Sequence, residues 1–134
     1  MPFIRTSVPR GTPLNQKQAI VQGIHQALVD GIGMPEDELF NLAQEHDPDE
    51  FFYSRTFNGA ARSSHVVVVE ITLRRGRSDA MKKALYANIA ENLGQVGVRP
   101  DDIFIFMHEN DYSDWSVCGG RFAMALVQQR GVTG

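Results

Sequence analysis

The chain has little cysteine, no long apolar run and no surplus of positive charge, and each scarcity removes a class of function. With Cys118 as its one cysteine, it can form no internal disulfide and no thiolate-built metal site, so no metal is expected and a reducing compartment is. Nowhere do about 18 uncharged apolar residues run together, as a membrane-spanning helix would need. The opening residues MPFIRTSVPRG carry no apolar stretch before a small-residue cleavage site, which makes the cytoplasm the expected location. With 13 Lys and Arg against 16 Asp and Glu, and a net charge of -3, no basic face is offered to a phosphate backbone, and no nucleic-acid partner is expected. His25, His46, His65 and His108 show no ligand or triad spacing, and neither a Gly-rich phosphate loop nor a G-x-S-x-G elbow occurs.

What is present is one ordinary globular domain, residues 1–134, with 43% hydrophobic and 22% charged residues. It is built as a repeat. A shift of 65 residues lays the first half on the second without a gap, matching Arg10 with Arg75, Lys17 with Lys82, Ile24 with Ile89, Leu28 with Leu93, Pro35 with Pro100 and Asp37 with Asp102. The pseudo-repeats are 2–66 and 67–134, and each reads as strand, turn, helix, turn, strand.

In the first repeat PFIRTSV is a strand, Thr12 the helix N-cap and Pro13 a first-turn proline. Ile20, Ile24, Ala27 and Leu28 form the apolar stripe, and Gly31 and Gly33 stop the helix. In the second, HVVVVEITL is a near-continuous buried strand, Ser78 caps a helix striped by Met81, Leu85, Ile89 and Leu93, and IFIFMHE returns as a strand after Pro100. The predicted fold is α/β: two tandem βαβ units forming a four-stranded sheet with both helices on one face. The other face lacks a cover, so closure by oligomerisation is expected. FFYSRTFNGAARSS between the halves, with Asn58-Gly59, reads as a hairpin-like connection or as a loop near a site entrance, and a last short strand is expected at 121–127.

Because both repeats satisfy the same packing, residues special to one copy need another reason to be there. Pro2 falls on Val67. If Met1 is trimmed, Pro2 becomes a free secondary amine, the one backbone nitrogen able to exchange a proton at a site, and burial or nearby cations would lower its pKa toward neutrality. The plain alternative is a proline at a frayed start. Arg74-Arg75-Gly76-Arg77 replaces Pro9-Arg10-Gly11-Thr12, so arginine forks gather where a strand meets a helix N-terminus, a place suited to a carboxylate. Side-chain alternation puts Arg75 and Arg77 on one face with Arg74 opposite; the alternative is solvated surface charge. Glu38 falls on Ile103, whereas Asp37 has its counterpart in Asp102 and reads as a turn residue. Trp115 walls an apolar pocket or plugs the core.

The Met-Pro start, the two repeats, Ala61-Arg62-Ser63-Ser64, Arg75-Gly76-Arg77-Ser78 and Asp114-Trp115-Ser116 together resemble the tautomerase superfamily, in particular its long-chain branch typified by malonate semialdehyde decarboxylase. The resemblance covers nearly the whole chain. It implies a homotrimer without cofactor or metal, acting on a small carboxylate-bearing substrate. Pro2 would be the acid/base on an enolisable 2-oxo acid or 2-hydroxydienoate, Arg75 and Arg77 the carboxylate pair, Glu38 a further catalytic group, and Trp115 and Asp37 substrate-binding residues. It also implies two alternatives, a decarboxylase in which protonated Pro2 polarises an aldehyde carbonyl, and a non-catalytic binding module of the same fold. Glu38 stands where the decarboxylase has an aspartate, and a misplacement of about 1 Å can cost about a hundredfold in rate, so tautomerase is the leading reading. Val117-Cys118 replaces an aromatic and a glycine of that family.

Overall fold

In the computed structural model, which describes residues 2–123, the elements run β1 (Phe3–Pro9), α1 (Leu14–Ile32), β2 (Asn41–His46), β3 (Val67–Arg74), α2 (Asp79–Gln95) and β4 (Ile103–Asn110). The sheet order is β2-β1-β3-β4. Within each repeat the strands are parallel, Ile4 beside Asn41 and Val69 beside Ile105. Between repeats β1 and β3 are antiparallel, with Phe3 beside Thr72 and Ser7 beside Val68. The halves are therefore related by a pseudo-two-fold axis between β1 and β3, and the start of each first strand lies against the end of the other.

Alternation along the strands explains the single core. Ile4, Thr6 and Val8 of β1 and Val67, Val69, Ile71 and Leu73 of β3 are buried against Ile20, Ile24, Ala27 and Leu28 of α1 and Leu85, Ile89 and Leu93 of α2. Each large aliphatic side chain so buried contributes roughly 1.5–3 kcal/mol over leaving it in water. The helices approach closely at Gly23, where an added Cβ would lie 3.3 Å from Asn92 Cβ and where Asn92 Nδ2 donates to the Gly23 carbonyl at 2.9 Å. Gly33 ends α1 in the left-handed region at φ 69°, a conformation that costs a side-chain-bearing residue more.

Several local expectations need correction. Pro13, not Thr12, is the N-cap of α1, without a side-chain bond, because the Thr12 hydroxyl donates to the Pro9 carbonyl at 2.6 Å instead. Gly31 lies inside α1, which ends only at Gly33. Ser78 does cap α2, accepting from Met81 N–H at 3.2 Å, but Met81 itself is 38% exposed and lies off the apolar stripe. β3 alternates buried and half-buried residues rather than being buried throughout. The connection between repeats takes the loop alternative: it folds back on itself, with Arg62 N–H donating to the Arg55 carbonyl at 3.0 Å around left-handed Asn58 and Gly59, and forms no strand ladder. The expected strand at 121–127 lies mostly outside the described residues, and Arg121, Phe122 and Ala123 are not strand.

The helix-free face carries Phe3, Leu42, Val68, Phe104 and Phe106, of which Leu42 and Phe104 are each 45% and Phe106 36% exposed in the single chain. These apolar groups lie around Arg5 and Glu70, which stand between Leu42 and Phe106 on the same face, and large apolar side chains left this exposed on an uncovered sheet face suit burial against another chain. Sedimentation at micromolar concentration is expected to return an oligomer. Phe106→Asp should shift it to monomer with an unchanged circular dichroism spectrum, whereas a monomeric parent protein would show that the face stays bare.

Candidate active site

The antiparallel register places Pro2 at a junction. Ile4 N–H donates to the Phe40 carbonyl at 2.9 Å, and Phe3 stands beside Thr72. Carrying both registers outward sets Pro2 beside Leu39 on one flank and Leu73 on the other. Pro2 is buried. The residues that follow Leu73 are Arg74 to Arg77, and the residue that precedes Leu39 is Glu38, so three separated stretches meet at one end of the sheet.

The arginines there divide differently from the expectation. Arg75 N–H continues the sheet by donating to the Asn110 carbonyl at 2.7 Å, and its exposed side chain pairs with Asp111, Nε to Oδ1 2.7 Å. That arrangement is a property of the repeat. In the first half Arg10 N–H likewise donates to the His46 carbonyl at 2.9 Å, and the Arg10 side chain pairs with Asp47; Lys17–Glu45 and Lys82–Glu109 repeat the pattern at 3.8 and 2.9 Å. The Arg10 and Arg75 guanidinium pKa values are both raised, first by the hydrogen bond that each donates to its aspartate.

Arg74 and Arg77 have no such counterparts, since Pro9 and Thr12 occupy the matching positions. Arg74 lies over the Tyr112 ring with Cζ 4.8 Å from its centroid, a favourable cation–π geometry, and its buried Nε has no partner among the described residues. Arg77, half-buried, donates from Nη1 to the Arg74 carbonyl at 2.8 Å. Its pKa is lowered, first by burial and then by the Arg74 charge. Alternation carried past the end of β3 would put Arg77 with Arg75; the chain instead turns at Gly76, φ 125°, and groups Arg77 with Arg74. Two cations brought together without a paired carboxylate among the described residues form a place for an anion.

Glu38 is half-buried and closes a turn, its N–H donating to the Pro35 carbonyl at 3.1 Å. Asp37 is exposed. Half-buried Trp115 donates from Nε1 to Asn110 Oδ1 at 2.6 Å and so stands beside the strand end that carries Asp111 and Tyr112. Sequence reasoning missed Tyr112 and Asn110. The register that sets Arg74 beside Asn110 is the feature that would have found them, and it requires knowing the strand pairing.

At the opposite end of the sheet lies a concavity of about 550 Å³ lined by Val67, Arg10, Thr12 and Asp102, among others. Under the 65-residue shift these stand for Pro2, Arg75, Arg77 and Asp37, so the concavity is the pseudo-symmetric image of the Pro2 junction. It has valine in place of proline and threonine in place of Arg77. Its buried Asp102 accepts from Ser63 N–H at 2.7 Å and Ser63 Oγ at 2.6 Å and pairs with Arg99 at 3.4 Å, which ties residues 61–64 to the start of β4. A second hollow, of about 300 Å³, adjoins it around His46, Phe51, Tyr53 and Arg55. Pro2 lines neither.

Two family models, each described as tautomerase enzyme, match residues 38–118 and 2–57. The chain is 33% identical to the probable tautomerase YusQ of Bacillus subtilis (strain 168) over 92% of its own length and 98% of that protein. It superimposes on FG41 malonate semialdehyde decarboxylase inhibited by 3-bromopropiolate with a TM-score of 0.88, 30% identity and coverage of 95% and 96%. A fused 4-OT, solved as an asymmetric trimer, matches with a TM-score of 0.76, 28% identity and coverage of 92% and 98%.

The Asp102 carboxylate generates a pH prediction. Burial pushes its pKa up, but the two Ser63 bonds and the Arg99 charge outweigh this and leave it lowered. A depressed folded pKa adds stability that is present above the unfolded value and is lost as pH falls through the folded one. The thermal midpoint should therefore drop in acid, below about pH 4, and Asp102→Asn should lower it at neutral pH while flattening that acid limb. An unchanged limb in Asp102→Asn would assign acid sensitivity to other carboxylates.

Proposed function

The chain belongs to the tautomerase family, and on that premise we propose that it is a cofactor-independent, metal-independent isomerase in which Pro2, freed by removal of Met1, is the acid/base. Its substrate in this reading is a small enolisable 2-oxo acid or 2-hydroxydienoate. The observation that supports the reading is the register, which carried outward sets Pro2 beside Leu39 and Leu73, one residue from the stretch 74–77 with two arginines that the other repeat lacks.

The chemistry follows from those groups. A proline amine in a peptide bond has no basic lone pair, so Met1 must leave. Burial disfavours the charged amine, as do the nearby guanidinium groups, and both lower its pKa toward the working range of a general base. The neutral amine takes a proton from the substrate enol oxygen and returns one to carbon. Arg77 and Arg74 hold the carboxylate, a pairing supported by their grouping around Tyr112, and this replaces the Arg75–Arg77 pair expected from the sequence. Arg75 is assigned to the structural ion pair with Asp111. Glu38, from the other flank, orients the reacting end of the substrate, Trp115 walls the site, and the exposed Asp37 is left with the turn. The active form in this reading is a cytoplasmic homotrimer, supported by the bare sheet face and by the trimeric fused 4-OT.

Decarboxylation of a small aldehyde acid is the second reading, favoured by the likeness to malonate semialdehyde decarboxylase. There the protonated proline would polarise the carbonyl, and loss of carbon dioxide would leave an enolate beside a cation. The product separates the two: an isomer for the first, acetaldehyde from malonate semialdehyde for the second. A non-catalytic binding module would show neither.

Intact mass should show Met1 missing, and activity on phenylenolpyruvate or 2-hydroxymuconate should fall as pH drops through the amine pKa, because only the neutral form accepts a proton. Activity equal in a form that keeps Met1 would remove the proline mechanism. Arg77→Ala and Arg74→Ala should each lose about tenfold to a hundredfold in kcat/KM, the size of one charge-assisted contact. Arg75→Ala should stay within about threefold of the parent, since an exposed ion pair contributes little. The reverse ranking would restore Arg75 to the carboxylate site.

A further inference from the structure

His25 is only 6% exposed and sits on α1 with its imidazole Nε2 2.8 Å from the Glu36 carbonyl. A carbonyl can only accept, so Nε2 carries the proton in this contact. Nδ1 is then left buried without a partner among the described residues, which costs free energy that an apolar side chain would avoid. The matching residue of α2 is Ala90. Packing against the sheet therefore does not require a histidine here, and the bond to Glu36 is what distinguishes the position.

That bond reaches the stretch flanking Pro2. The turn at 35–38 is closed by Glu38 N–H to the Pro35 carbonyl at 3.1 Å, and two residues later the Phe40 carbonyl takes Ile4 N–H at 2.9 Å. In the other repeat the equivalent turn is secured differently, by buried Asp102 and its bonds to Ser63 and Arg99. Asp37, the counterpart of Asp102, is exposed and cannot serve in that way. His25 supplies from the helix layer the anchor that Asp102 supplies from within the turn.

We propose that His25 is a positioning residue of the Pro2 site, whose Nε2–H grips the Glu36 carbonyl and so sets the turn that presents Glu38 beside Pro2. This rests on the proposed acid/base reading of that site. His25 acts on where Glu38 stands, not on the carboxylate held by the arginines, so its loss should appear in kcat more than in KM.

The test uses the full chain with Met1 removed. Glutamine can place an N–H close to the imidazole Nε2 position, and asparagine is too short to do so. His25→Gln should keep kcat within about threefold, whereas His25→Asn should lose about tenfold to a hundredfold, the cost of a misplacement on the order of 1 Å, with KM changed less than about threefold. In a Glu38→Gln background, His25→Asn should cost nothing more, because groups that act through one another are not additive. Equal rates for the Gln and Asn variants, or losses that multiply in the double variant, would overturn the inference, as would Glu38→Gln at the parent rate. A purely structural role would lower the thermal midpoint of both His25 variants without this dependence on Glu38. Failure of the underlying reading shows separately, as turnover that survives with Met1 in place.

Discussion

Five residue pairs, from Phe3 beside Thr72 to Ser7 beside Val68, hold the two halves together in antiparallel register, and the position of every candidate group depends on them. A parallel pairing would carry Pro2 to the start of β3, the length of that strand away from the arginines. The antiparallel pairing brings the first residue of one repeat to the strand-to-helix turn of the other. It does so while keeping both helices on one face, so that a single core of Ile, Leu and Val fixes the register through which side chains point inward.

The same pseudo-symmetry gives each end of the sheet an internal control. The ion pairs Arg10–Asp47 and Arg75–Asp111 occur at both ends and belong to the architecture. Pro2, Arg74, Arg77 and His25 occur at one end only, against Val67, Pro9, Thr12 and Ala90. The image site has a hollow but carries valine in place of proline and threonine in place of Arg77. Tyr112 and Trp115 lie just beyond β4, where β3 ends beside it, and they supply aromatic surface on the Arg74 side of the junction.

Much of this was legible in the sequence because a repeat doubles every local signal. The stripes Ile20–Ile24–Leu28 and Leu85–Ile89–Leu93, the Ser78 cap and the one-sided helices follow from periodicity alone. The facing of the arginines did not, because strand alternation holds only while the chain stays extended, and it stops at Gly76 with φ 125°. Thr12 suits an N-cap by residue type, but its hydroxyl bonds the nearer Pro9 carbonyl. His25 carried no spacing signal, since its partner is a backbone carbonyl eleven residues on and any residue would supply one. Tyr112 stayed hidden for a related reason: its meeting with Arg74 is made by β3–β4 pairing, not by sequence proximity.

The nitrogen of Pro2, freed as an amine, is the proposed acid/base of this chain, and the same lone pair would make it the group that an electrophile labels. The decarboxylase it resembles in fold is inhibited by 3-bromopropiolate, an electrophilic alkyne bearing the carboxylate that Arg74 and Arg77 would hold. Incubating the Met1-free protein with this reagent and mapping the product by peptide mass spectrometry should find one adduct per chain, on the N-terminal peptide at Pro2. The adduct should form more slowly as pH falls and the amine protonates, and more slowly again in Arg77→Ala. Labelling confined to Cys118 or a lysine, or an unlabelled Pro2 in protein whose activity is nonetheless abolished, would contradict the account.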